Sequence, residues 1–173
     1  MHDDLLALLA ATPKTLAHIV AEASAAQLDA APPGGWSARA ILAHLRDDES
    51  LCMRTALCRM LIEEVPDVVF LDGGAWEPRR SRSRDRKEQL LADFALQRQA
   101  TLNLLQSLQP ADWARRGRNA EWGEFDIVEL VETWVRHDGE HLRELEVLIG
   151  ETAAEARDRR ARMAADHAGA DRD

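Results

Sequence analysis

The 173-residue chain has no tyrosine, three phenylalanines and five isoleucines. Strands draw on β-branched and aromatic residues, so this scarcity beside abundant Ala and Leu favours helices. Only two cysteines occur, Cys52 and Cys58. Six residues apart on one helix, they point in different directions, so no disulfide between them is predicted. Both read as buried helix packing, and neither belongs to a Cys-x-x-Cys motif. No 18 apolar residues run together. The start, Met1-His2-Asp3-Asp4, puts no basic region before the short apolar stretch 5–11. Neither a membrane span nor a signal peptide is therefore predicted, and a soluble cytoplasmic protein is expected, with no membrane partner. Positive charge is also short: 22 Lys and Arg face 31 Asp and Glu, a net charge of −9. Phosphate binding begins with positive charge, so no nucleic-acid partner is expected.

What is present suits one globular domain of helices. The hydrophobic fraction is 46%, and a chain of this length buries enough surface to fold without disulfide or metal. No internal repeat is visible. Four long helical segments are predicted by apolar periodicity. The first spans about 3–23, with Thr12-Pro13 read as an N-cap and proline pair that breaks or kinks it. A short helical turn at 24–31 ends in Pro32-Pro33-Gly34-Gly35. Ser37 caps the second helix, predicted to about Val65, with Ile41, Leu45, Leu51, Cys52, Leu57 and Leu61 as its apolar stripe. Residues 67–84 read as a loop. The third helix covers about 85–108, and a polar connection over 113–123 follows. The fourth begins at Asp126, with Glu129 as capping-box partner, and stops near Ile149 at Gly150. Residues 151–173 contain no Leu, Ile, Val or aromatic residue. They read as a polar, partly helical tail that frays, outside a 1–150 domain.

The chemistry concentrates in His137-Asp138-Gly139-Glu140-His141. Residues four apart share a helix face, so both imidazoles can reach one ion. Their face reads Leu130, Trp134, His137, His141, Leu145, Leu148, so they interrupt a core stripe where polar groups need partners. His44 sits on a matching stripe of the second helix: Ile41, His44, Asp48, Leu51, Thr55. If the second and fourth helices face each other, His44, His137 and His141 form a three-imidazole set with open coordination positions. Asp48 is then a further ligand or an acceptor that orients an imidazole. The alternative is a set of hydrogen-bonded core histidines. A zincin-type protease is not expected, because that motif needs Glu directly after the first His. Here the residue is Asp138, expected to point sideways off the helix.

The segments Gly35-Trp36-Ser37-Ala38-Arg39 and Ile41-Leu42-Ala43-His44-Leu45 with Asp48-Glu49, together with His137-Asp138-Gly139-Glu140-His141-Leu142, resemble the second- and fourth-helix signatures of the DinB-like superfamily. The resemblance covers about residues 5–150. It implies an all-α four-helix bundle, often a homodimer, holding a divalent metal on three histidines, here His44, His137 and His141. Relatives include transferases using bacillithiol, mycothiol or glutathione, and a maleylpyruvate isomerase. The implied activity is that of a metal-dependent thiol transferase acting on a small-molecule electrophile, with Zn, Ni, Fe or Co as the metal. In it Asp48 accepts a proton or orients His44. A non-catalytic, stress-associated metal-binding dimer and a metal-dependent hydrolase are the alternatives.

Weaker features complete the reading. Six basic residues between 79 and 87 form a solvated loop or an anion site, such as for a thiol's carboxylates. Trp36, Trp76, Trp113 and Trp122 read as core or loop anchors. Trp134, one turn before His137, reads as a cofactor-pocket wall. Gly139 reads as a point of close approach for another helix or a ligand.

Overall fold

A computed structural model describes residues 2–70, 73–76 and 85–170, with side chains described to residue 150. The chain runs α1 (His2–Ile19), α2 (Ala25–Asp29), α3 (Ala38–Asp48), a π turn (Glu49–Met53), α4 (Arg54–Ile62), α5 (Gly73–Trp76), α6 (Lys87–Ser107), a 3-10 turn (Asp112–Ala114), β1 (Arg116–Asn119), β2 (Gly123–Asp126) and α7 (Ile127–Ala170). It is a four-helix bundle of α1, the α3–π–α4 rod, α6 and α7. Helices α1 and α3 each pack against both α6 and α7. The first two long helices therefore lie across the bundle from each other. Among the described residues, no helix is long and apolar enough to cross a membrane.

The capping chemistry follows the sequence. Ser37 Oγ accepts from Ala40 N at 3.2 Å. Asp126 and Glu129 exchange reciprocal bonds, Glu129 N to Asp126 Oδ1 at 2.9 Å and Asp126 N to Glu129 Oε2 at 2.8 Å. Ser24 and Gln27 form a second capping box that starts α2.

Four expectations are corrected. Pro13 does not break α1, which continues through it to Ile19. A mid-helix proline leaves the carbonyl four residues back without its N–H. That carbonyl, Leu9 O, accepts instead from Arg98 Nη1 at 3.0 Å. The second helix is not one α-helix to Val65. The π turn interrupts it and α4 ends at Ile62. Leu51 is 47% exposed, while Cys52, Met53, Ala56, Leu57 and Met60 are buried. An α-helical stripe through Leu51 and Thr55 misreads the face, because a π turn adds a residue to the repeat. Gly150 does not stop α7, which runs to Ala170. Gly150 lacks the positive φ of a helix-ending glycine, which among the described residues only Gly34 and Gly123 have, and an Ala-rich sequence propagates helix. The polar connection before α7 is a hairpin, with Gly117 opposite Phe125 and Asn119 opposite Gly123. It is too short and too polar to show an alternating pattern. Val68 N donates to Arg118 O at 2.7 Å, so the segment after α4 docks on its outer edge.

The core divides in two. One apolar cluster joins Leu9, Leu57, Met60, Leu105, Phe125, Leu130 and Trp134. The other joins Leu16, Ile41, Leu42, Leu45, Leu90, Phe94 and Leu145. On all four long helices the turn between the two clusters carries polar side chains. These are Thr12 on α1, His44, Asp48 and Glu49 on the α3 rod, Arg98 and Thr101 on α6, and His137, Asp138 and His141 on α7. This polar layer holds the candidate site.

Candidate metal centre

His44 comes from α3, and His137 and His141 from successive turns of α7. The structure brings them together: one ring nitrogen from each lies within 4.8 Å of the others. His44 Nε2 is 3.0 Å from His137 Nε2. The rings meet edge to face, with centroids 5.1 Å apart for His44–His137, 4.9 Å for His44–His141 and 4.6 Å for His137–His141. Two imidazole nitrogens bound to one ion at about 2.0–2.1 Å each stand roughly 2.9–3.4 Å apart, for bond angles near 90–110°. The His44–His137 separation has that value, so this pair of nitrogens fits a divalent metal, and His141 Nδ1 or Nε2 lies within 4.8 Å of both.

The surroundings prepare the nitrogens for that role. Burial pushes the His137 imidazole down to about 3, aided by its neighbour His141 and by the positive charge of Arg98. The ring is therefore neutral, the form that binds metal. His141 Nδ1 lies 3.1 Å from Glu144 Oε2, one turn along α7. A carboxylate on Nδ1 fixes the tautomer and leaves Nε2 as the donor atom. Asp48 is buried, and its Oδ2 lies 3.8 Å from His137 Nε2. It sits against His137. Burial raises its pKa, a hydrogen bond with Cys52 lowers it in part, and the charge of Glu49 raises it again, leaving the carboxyl above its ordinary range. Asp48 can thus take up a proton beside the nitrogens.

Trp134 does not wall an open pocket: it is 1% exposed and belongs to the apolar cluster around Leu57. The indole over the histidines is Trp36, from the segment before α3. Its ring is parallel to His141 with centroids 6.3 Å apart, and edge-on to His44 at 5.0 Å. Gly73, at the start of α5, closes against the same corner. A Cβ there would lie 2.7 Å from Trp36 Cη2 and 3.2 Å from His44 Cε1 and Nδ1. No other helix approaches Gly139 closely, since the nearest atom to a Cβ on it is Arg143 Nη1 at 3.9 Å; it lines a shallow cavity with Leu8, Thr12 and Asp138.

Asp138 does not point sideways. It is 3% exposed and paired with Arg98, itself fully buried. Arg98 Nη1 donates to Asp138 Oδ2 at 2.6 Å, and Nη2 donates to Asp138 Oδ1 at 3.2 Å. Arg98 Nε and Nη2 donate to Glu49 Oε2 at 3.0 and 2.8 Å. Thr12 Oγ1 donates to Asp138 Oδ2 at 2.8 Å, and Thr101 Oγ1 to Glu49 Oε1 at 2.6 Å. Burial lowers the Arg98 pKa, but the charges of Asp138 and Glu49 outweigh it and the net shift is upward. The network escapes motif reading because Arg98, Thr12 and Thr101 belong to no motif. The signal available was an Arg on the buried stripe Leu90, Phe94, Arg98, Leu102, Leu105.

Most of the basic run 79–87 lies outside the described residues. Lys87 does not face an anion. Its Nζ donates to Val20 O, Ala21 O and Ala23 O at 3.0–3.2 Å, closing the chain end of α1.

A family profile described as DinB superfamily matches residues 8–145. Among solved structures, one described as "YfiT from Bacillus subtilis is a probable metal-dependent hydrolase with an unusual four-helix bundle topology" aligns with a TM-score of 0.78 and 21% identity, covering 88% of this chain and 87% of that one. A second, "TT2238, a four-helix bundle protein", aligns with a TM-score of 0.62 and 22% identity, covering 85% of this chain and 99% of that one. No curated protein matches.

Proposed function

The chain belongs to the DinB superfamily, and from that premise we propose that it is a metal-dependent enzyme that activates a low-molecular-weight thiol for attack on a small electrophile. The observation carrying this reading is the three-imidazole cluster, with ring nitrogens within 4.8 Å of one another. His44, His137 and His141 would hold the ion, of the Zn, Ni, Fe or Co class. Bound there, a divalent ion lowers the pKa of a thiol or water in its open positions.

The chain's own residues do the rest. Glu144 keeps His141 in one tautomer. Asp48, 3.8 Å from His137 Nε2, accepts the thiol proton. The sulfur lone pair forms the new C–S bond as the electrophile's leaving group departs with its pair. Trp36 shields the cluster from water on one side. A second reading, hydrolysis with water as nucleophile, is favoured by the same Asp48, a buried carboxylate beside the site, and by the description of the Bacillus subtilis neighbour. A homodimer in the cytoplasm is part of the proposal through the family.

Metal analysis of the purified protein, followed by assays with bacillithiol, mycothiol and glutathione against small electrophiles, tests the reading. One metal per chain and a thioether product support transfer. Metal-dependent product formation without thiol supports hydrolysis. A metal-free protein that takes up no added ion returns the histidines to ordinary core residues.

A further inference from the structure

The polar layer has a second half that the histidines do not explain. Arg98 uses all five guanidinium N–H donors. Nε takes Glu49, Nη1 takes Leu9 O and Asp138, and Nη2 takes Glu49 and Asp138. Every oxygen of the two carboxylates is also engaged, Glu49 Oε1 by Thr101 and Asp138 Oδ2 additionally by Thr12. The guanidinium lies 4.8 Å from the Phe94 ring centre and 5.5 Å from that of Trp134, between the two apolar clusters. One side chain of α6 is thereby tied to α1, to the α3 rod and to α7.

The anchor points are specific. Glu49 follows Asp48 in the chain, and Asp138 follows His137. Arg98 therefore grips the two ligand-bearing helices one residue from the groups that face the candidate ion. From this geometry we infer that Arg98 is a positioning residue for the metal centre: it fixes the distance between the α3 rod and α7, and so the approach of His44 and Asp48 to His137 and His141. The inference rests on the metal-site reading above and extends it to a residue that touches neither ion nor substrate.

Stability alone does not account for this arrangement. Replacing a buried ion pair with apolar residues of similar volume is often neutral or stabilising. A planar fork with five fixed donors, by contrast, sets the relative position of two carboxylates, which a lysine point charge cannot do. Glu49 is the first residue of the π turn, and Asp48 and Glu49 both lie inside the bundle, 8% and 1% exposed.

The test compares wild type with Arg98→Lys and with the isosteric Glu49→Gln, using Co(II) as the probe. Affinity is read by chelator competition, ligand geometry by the visible Co(II) spectrum, and fold by circular dichroism. Arg98→Lys keeps the charge and loses the fork. Folded, it is expected to bind Co(II) about 10–100-fold more weakly, the usual effect of removing an outer support of a metal site, with a shifted spectrum. Wild-type affinity and spectrum in a folded Arg98→Lys protein would overturn the inference while leaving the metal site standing. If Arg98→Lys does not fold, Glu49→Gln decides: it weakens the grip of Arg98 on the α3 rod while leaving Arg98 in place, and an unchanged affinity and spectrum would likewise overturn it. If wild type itself binds no Co(II), the metal-site reading fails and takes the inference with it.

Discussion

The Nε2 atoms of His44 and His137 face each other at 3.0 Å across 93 residues of chain. Two neutral imidazoles can share one hydrogen at that distance, and two metal-bound ones occupy it without strain. His141 distinguishes these cases, because a shared proton does not need it and an ion does. His141→Ala is therefore expected to abolish stoichiometric Zn binding while keeping the helix content, since the apolar clusters on either side are untouched. Elemental analysis and circular dichroism on one sample check this. Full metal occupancy in the variant would remove His141 from the ligand set.

Asp48→Asn separates chemistry from stability. The fold disfavours the ionised carboxyl, mainly by burial, so a neutral isostere is expected to leave the melting temperature unchanged or raised. As proton acceptor, Asp48 contributes on the order of 10²–10⁴ in rate. The variant should keep its metal and lose kcat by that factor. A variant with intact kcat would assign the proton to another group.

The pH dependence of the metal-free protein follows from His137, whose pKa falls from 6.5 to about 3 on folding, through burial first and then His141 and Arg98. Between these values the unfolded chain binds more protons than the folded one, so stability rises with pH across about 3 to 6.5 and this contribution is flat above. It amounts to on the order of 5 kcal/mol. Asp48 acts in the opposite sense, since its raised pKa makes the folded state bind protons more readily above 3.8. Urea unfolding of wild type minus His137→Gln, both with chelator, isolates the histidine. A difference that does not vary from pH 4 to pH 7 would refute the assignment.

Gly73→Ala tests the contact between α5 and the site. The added methyl meets Trp36 Cη2 at 2.7 Å and the His44 ring at 3.2 Å, so one of them must move. Metal affinity is expected to fall on the order of tenfold, as for other outer supports, with altered His44 ring signals in NMR. Wild-type affinity would show that α5 yields instead.

Pro13→Ala tests why α1 survives its proline. An ordinary mid-helix proline costs about 3 kcal/mol. Here Leu9 O already has a partner in Arg98, so restoring the N–H is expected to gain less than about 1 kcal/mol. Urea unfolding measures the difference, and a gain near 3 kcal/mol would mean that the Arg98 bond does not compensate.

Periodicity and spacing alone carried the helices, the caps at Ser37 and Asp126, and the His137–His141 pair, because each depends on residues within one or two turns. The stripe of the second helix also offered His44, and the resemblance then named it as a ligand, since a motif preserves a pairing between helices that no local rule can fix. The π turn was not readable, because Glu49–Met53 has the composition of an ordinary helix and only packing decides where an extra residue is absorbed. The continuation of α7 past Gly150 was not readable either, since a glycine stops a helix only where the chain takes up positive φ.

Local interactions thus settle that these segments are helical, where they start, and that two imidazoles share a face. Long-range packing settles the rest. Asp48 comes to lie against His137, Trp36 rather than Trp134 covers the cluster, and Asp138 turns inward to meet Arg98. Each of these is a choice between rotamers and neighbours that differ little in an isolated helix. They become unequal only when a buried charge, removed from water, must find a partner on another helix.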